Sequence, residues 1–214
     1  YKLTQNFNMP YLATSVTEYW RRWHMSLGSW LRDYLFIPLG GSRHGRWRTY
    51  RNSLIIMTLM GLWHGATWGW VLWGVLQGLL LVANRILQGA CKVRPRLDRL
   101  LQSWPGTAAR WAATLACVTF GYVIFRASTF ADAASIYHRL LVPVPGRPCQ
   151  VHPAGLWLTV LLMAACHAVG HFGLWKRSAP RLPAPMLGFG YATALFLTLL
   201  LNLDTGNAFI YFQF

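Results

Sequence analysis

The sequence predicts an all-α protein, a polytopic bundle of transmembrane helices, and three observations carry that prediction. Only 12% of its 214 residues are charged while 55% are hydrophobic, against roughly 25% charged in soluble domains. Its 12 tryptophans are more aromatic bulk than a soluble core of this size hides, whereas a bilayer solvates them and favours Trp and Tyr at its interfaces. Finally, 20 Lys and Arg against five acids fall in clusters between apolar runs, as cytoplasmic loops of membrane proteins do. That clustering also argues against nucleic acid as the partner of the +15 net charge and for membrane lipid as the surrounding medium. The four cysteines show no CxxC spacing, and Cys117 and Cys166 sit in apolar runs as small hydrophobes. Neither a disulfide frame nor a metal site is indicated. The chain opens at Tyr1 without a methionine or a signal peptide, so it is expected to be the C-terminal part of a longer protein whose N-terminal helices are missing.

Residues 1–52 are expected to form interfacial or re-entrant helices and a cytoplasmic basic loop. Ser15 with Glu18 three residues later makes a capping box, so a helix starts there. Over 17–36 it interleaves Trp20, Trp23, Trp30 and Tyr34 with Arg21, Arg22 and Arg32, a pattern too polar to span a membrane and suited to lying in its interface. Pro38, Gly40 and Gly41 end it before a basic loop at 42–51.

Residues 53–84 are apolar throughout, and the run exceeds the ~20 residues of one straight crossing. Gly61, Gly65 and Gly69 loosen its first third, so a hairpin of two passes is expected. Eight Lys and Arg against two acids precede it in 1–52, and six against Asp98 follow it in 85–110, which puts both flanks on the cytoplasmic face. Further transmembrane helices are expected at 108–126, 155–175 and 186–203, with Pro143, Pro145, Pro148 and Pro153 breaking the stretch before the second. Parity then makes 126–154 periplasmic or extracellular and 176–185 cytoplasmic. The whole of 1–214 is expected to be one integral-membrane domain.

Of the seven histidines, His44, His138 and His152 sit in or beside polar loops and read as solvated. His167 and His171 share a helix face, but no further ligand of suitable spacing accompanies them. His64 differs, because it lies in GLWHGATWGW, ten to twelve residues from the basic loop. At ~1.5 Å per residue that is roughly 15–18 Å deep, near mid-bilayer. An ionisable side chain there is costly and marks a functional site by default. Its ring is expected to be neutral, and a neutral imidazole accepts a proton from a hydroxyl or thiol. The bland alternative is a histidine that only hydrogen-bonds a neighbouring helix. Gly61, Gly65 and Gly69 are either a close helix-packing face or the room through which an extended acyl chain passes beside His64. Arg32 and Asp33 are either a surface ion pair or the polar lining of a tunnel mouth.

The stretches EYWRRWHMSLGSWLRDYLFIPLGG (18–41), GLWHGATWGWVLWGVLQG (61–78), VIFRASTFADA (123–133) and the closing FIYFQF (209–214) resemble the membrane-bound O-acyltransferase family, in particular its bacterial alginate-acetylating branch. The resemblance implies a funnel of helices through the bacterial inner membrane with His64 at its floor as the catalytic histidine. Asp33 is the best-placed acid upstream of it and is implied as a second catalytic residue. His24, Arg32, Trp63, Gly61 and Gly65 are implied to line the substrate tunnel. No bound cofactor is implied. The donor would be acetyl-CoA from the cytoplasm, and the acceptor a hydroxyl of a polysaccharide such as alginate, reached through a periplasmic acetyltransferase partner. Teichoic acid, peptidoglycan and cellulose are the other acceptors of related proteins. A transporter or scaffold subunit of an export complex is the non-enzymatic alternative, although the paired, Pro-broken helices of transporters are not visible.

Overall fold

A computed structural model supplies the fold and describes residues 4–142 and 153–202. Every regular element among these residues is helical. Helix α1 (Val16–Arg22) is capped by Ser15, whose hydroxyl accepts the Glu18 N–H at 3.1 Å. The Glu18 carboxylate turns back to the N–H of Thr14 at 2.8 Å and to its hydroxyl, one residue earlier than the reciprocal box would take.

The helix starts where the cap predicts, but 17–36 is not one helix. Trp23 is extended and His24 is left-handed (φ 49°), so α2 (Met25–Leu31) begins afresh and runs on into a π-helical turn at Arg32–Phe36. The break is held from outside. The Asn8 N–H donates to Arg22 O, the Met25 N–H donates to Asn6 O, and the Asn6 side-chain oxygen accepts from the Ser26 N–H. These bonds satisfy backbone groups that a helix corner would otherwise strand.

The chain then turns through Gly40 and Gly41, both in the left-handed region (φ 96° and 55°) that glycine alone enters without strain. The loop is pinned from below by Asn52, which is 0% exposed and donates to Leu39 O (3.0 Å) and Gly41 O (3.2 Å). A buried amide with its partners in place fixes that loop to one geometry.

Helices α3 (Arg46–His64) and α4 (Trp68–Val93) form the expected hairpin, turning at residues 65–67. It is longer than 53–84 at both ends, because the basic and polar turns outside the apolar run stay helical. The two backbones touch. A Cβ on Gly61 would lie 2.2 Å from Trp70 O, and one on Gly74 would lie 2.4 Å from Met57 O. Glycine removes that obstacle, and close packing of this kind holds helices together where lipid offers no hydrophobic drive.

After α5 (Pro95–Gln102), α6 (Trp104–Arg126) starts four residues before the expected 108. Its cap is Ser103, whose hydroxyl accepts the Gly106 N–H. Helix α7 (Phe130–Leu141) was not expected within 126–154, although Thr129 and Asp132 form a full capping box for it. Pro143, Pro145, Pro148, His152 and the closing FIYFQF lie outside the described residues. Leu31, Ile56, Met57, Met60 and Trp73 form one buried core, and Ala13, Tyr19 and Val118 a second beside it.

Three described helices are long and apolar enough to cross a membrane: Trp68–Val93, Trp104–Arg126 and Ala154–His171. Helix α3 has the length but is apolar only from Leu54 onward. The chain divides into two compact units, Tyr1–Met163 and Ala164–Phe214. The second holds the last turns of α8 (Pro153–His171), then α9 (Leu174–Ser178) and α10 (Ala184–Asn202). The last of these covers the expected 186–203 within two residues.

Candidate active site

His64 is the last residue of α3. The helix stops there because the chain leaves the helical region at Gly65, whose N–H closes the final turn on Leu62 O at 3.2 Å. The imidazole is half-buried and caged by aromatic rings from three helices. Trp63 lies 5.0 Å away between centroids, Trp70 stacks at 5.6 Å, and Trp73 and Phe125 present edge-on geometry at 5.6 and 5.1 Å. Such ring pairs contribute beyond their buried area, and together they exclude water from one side of the imidazole.

The cage has its own support. Trp73 is buried against Trp20 at 5.9 Å, and the Trp20 indole N–H donates to the Gln77 side-chain oxygen at 3.3 Å. Gln77 is 2% exposed and occupies the space that a Cβ on Gly121 would need, 2.5 Å from its Nε2. The hydroxyls of Tyr19 and Tyr122 meet at 2.6 Å and tie α1 to α6.

Beside the cage lies a cleft of about 690 Å³ between α1, α2, the glycine loop, α3 and α4. Its floor is apolar, with Leu31, Ile56, Met57 and Met60, and its walls carry Arg21, Arg32, Arg43 and Arg85. Met60 is one helical turn before His64 on the same face of α3, which puts the imidazole roughly 6 Å further along the axis.

His24 joins the two features. It lines the cleft, and its ring stands 6.4 Å from that of Trp63. Its left-handed backbone is unusual for a residue with a Cβ, and its buried Nδ1 has no hydrogen-bond partner among the described residues. Burial pushes the His24 pKa below its ordinary value. A buried ring nitrogen left without a partner at a cleft wall calls for an explanation, and it makes His24 a candidate to hydrogen-bond a molecule in the cleft.

The other expected site residues fall elsewhere. Asp33 is 47% exposed and accepts a two-pronged hydrogen bond from Arg32 (2.8 and 3.2 Å). That bond holds its carboxyl below the ordinary value. Arg32 lines the cleft, but Asp33 lines neither the cleft nor the cage. Asp33 thus forms a surface ion pair with a residue of the cleft wall. The room beside Gly61 is filled by the Trp70 carbonyl, and a Cβ on Gly65 would meet the Trp70 indole at 2.5 Å. Gly61 and Gly65 therefore pack closely against α4. Gly69 has ordinary contacts only. Trp63 is half-exposed between His24 and His64.

Phe125, Trp70, Trp73, Gln77 and the tyrosine pair were not singled out from sequence. Gln77 had a signal, being with Asn84 one of two amides inside the run 53–84, where a polar group needs a reason. Phe125 lies in the stretch 123–133, but nothing local ties it to His64.

Residues 3–127 match the family model described as MBOAT, membrane-bound O-acyltransferase family. That range holds α1 to α6, the cleft and the whole cage, and it is more than half of the chain. The chain belongs to the membrane-bound O-acyltransferase family. Among curated relatives in this family, the probable alginate O-acetylase AlgI of Pseudomonas putida is 44% identical over 137 residues, 64% of this chain and 26% of its own length. The peptidoglycan O-acetyltransferase of Helicobacter pylori is 36% identical over 136 residues, 63% of this chain and 24% of its own. The teichoic acid D-alanyltransferase of Bacillus subtilis is 27% identical over 145 residues, 64% and 34% respectively. This O-acyltransferase-family chain thus spans about a quarter of the length of the alginate O-acetylases it matches.

Proposed function

We propose that the protein to which this chain belongs moves an acetyl group from acetyl-CoA to a hydroxyl acceptor at His64. The observation that carries the proposal is the imidazole at the turn of an apolar hairpin, caged by rings from three helices and one turn beyond the floor of a cleft walled by arginines. The cleft suits the donor: phosphates find guanidinium partners at Arg21 and Arg85, and the acyl thioester follows the apolar floor past Met60 toward His64.

In the transfer step His64 takes the proton of the acceptor hydroxyl as general base, and the oxygen attacks the thioester carbonyl carbon. The tetrahedral intermediate collapses with cleavage of the carbon–sulfur bond, and the departing thiolate takes the proton back from the imidazolium. Atoms and charge balance without a further reactant. The aromatic cage keeps bulk water from competing as acceptor. His24, with Trp63, guards the passage from cleft to cage. Asp33 fixes Arg32 at the cleft wall.

The likeness to alginate O-acetylases favours a bacterial inner-membrane enzyme that supplies acetyl groups for an extracytoplasmic polysaccharide such as alginate, with a periplasmic acetyltransferase as its partner. The test is His64→Ala in the intact protein, with polymer acetylation and exchange of label from acetyl-CoA in membranes as readouts. Loss of one catalytic base is expected to lower transfer by ~10²–10⁴-fold. Retained exchange at normal expression would refute the catalytic role and leave the scaffold alternative.

A further inference from the structure

A second crevice, separate from the first, opens between the end of α4, α5 and the start of α6, with a volume of about 700 Å³. Its deeper wall belongs to two of the membrane-spanning helices, with Leu80 and Leu87 on α4 facing Ala113 and Cys117 on α6, and the start of α1 closes one side. Asn84 and Thr114 lie among these residues, but the Asn84 amide already donates to the Thr17 hydroxyl and the Thr114 hydroxyl to Arg110 O. Its mouth carries Lys92 and Arg110 against one acid, Asp98, whose carboxylate already accepts from the Gln102 amide at 2.7 Å. Arg110 is half-buried. One of its terminal nitrogens reaches the Thr107 hydroxyl at 3.4 Å, while its buried Nε has no partner among the described residues.

The level of the crevice in the bilayer follows from α5. That helix has leucines 97, 100 and 101 set against Arg96, Asp98 and Arg99, and it links two spans. A short amphipathic helix between spans lies at the headgroup layer. The crevice therefore runs from headgroup depth down into hydrocarbon, basic at the top and apolar below.

We propose that this crevice holds an anionic phospholipid, its phosphodiester on Arg110 and Lys92 and one acyl chain along Leu80, Leu87, Ala113 and Cys117. A zwitterionic headgroup would set its own ammonium against the same bases, and a free anion would leave the apolar half unfilled. Basic pockets between helices on the cytoplasmic side select anionic lipid by the same charge logic.

The experiment is lipid retention by the intact protein in nanodiscs of equal phosphatidylglycerol and phosphatidylcholine, read by native mass spectrometry. The double variant Lys92→Gln/Arg110→Gln is compared with Arg96→Gln/Arg99→Gln, which removes the same charge outside the crevice. Retained phosphatidylglycerol is expected to fall about five-fold per base in the first and to stay at the parent level in the second. Ala113→Phe, which fills the chain slot without touching charge, is expected to lower retention as well and decides the matter if the first variant does not fold. Equal loss in the two double variants would make the attraction diffuse surface charge and overturn the site. So would competition by glycerophosphoglycerol, the headgroup without chains, at the strength of the whole lipid, which marks a free-anion site. Absence of retained phosphatidylglycerol in the parent also overturns it, the crevice then being covered by protein.

Discussion

Gly61 makes the most local prediction. A methyl group there would sit 2.2 Å from a backbone carbonyl of the facing helix, and a backbone, unlike a flexible side-chain end, cannot swing away. Gly61→Ala must therefore push α4 off α3, at a cost of about 1–3 kcal/mol. A lower thermal midpoint of the intact protein in detergent is the expected result, with reduced transfer, because Trp70 both blocks that methyl and stacks on His64. An unchanged midpoint would mean that the helices are not this close. The same replacement at Gly89, which has open space around it, is expected to be neutral or slightly stabilising, since alanine favours the helix.

At the scale of elements, α1 is short and depends on its cap and its end-to-end ion pair. Glu18 accepts from Thr14 and pairs with Arg22 one turn later. Burial alone would raise the Glu18 pKa, but the Thr14 N–H and the Arg22 charge outweigh it, and the net direction is down. A carboxyl whose folded pKa is depressed binds its proton more readily in the unfolded chain. It contributes stability at pH values above the unfolded carboxylate range and loses that contribution as pH falls through the folded value. Glu18→Gln is expected to lower the thermal midpoint at neutral pH and to make no difference at pH values below the folded pKa. A midpoint difference that stays constant through the acid range would remove the ion from the explanation. Ser15→Ala should cost about 1 kcal/mol at any pH, because the lost bond is to a backbone N–H.

At the scale of the whole molecule, the hairpin fixes a topology. Helices α3 and α4 run out and back, so positions 48 and 89, near their far ends, share one face of the membrane, while Ala66 sits at the turn. With single cysteines placed in a cysteine-free background, a membrane-impermeant thiol reagent is expected to label 48 and 89 from the cytoplasmic side and to leave 66 unlabelled from that side. Labelling of 48 and 89 from opposite sides would undo the hairpin's orientation and, with it, the donor's approach to His64.

Composition and short-range pattern suffice for the membrane class, the start of α1, the hairpin and the conspicuousness of His64, because each rests on overall content or on residues within a turn or two of one another. A capping hydroxyl acts over three residues, and a lone imidazole in an apolar run is conspicuous wherever the run ends up. What surrounds that imidazole follows from the packing of distant helices. Phe125 is 61 positions from His64 along the chain, and no local pattern predicts that α6 delivers its ring there. The corner at His24 was equally hidden, since the bonds that hold it come from Asn6 and Asn8 in a preceding segment with no helical signal of its own. Asp33 is a different case: the family resemblance suggested it, its sequence neighbour Arg32 offered an ion pair, and the structure shows that pair at 2.8 Å. Propensity and capping are local energies that a sequence displays directly. Cages, clefts and long-range hydrogen bonds depend on which distant segments the fold brings into contact.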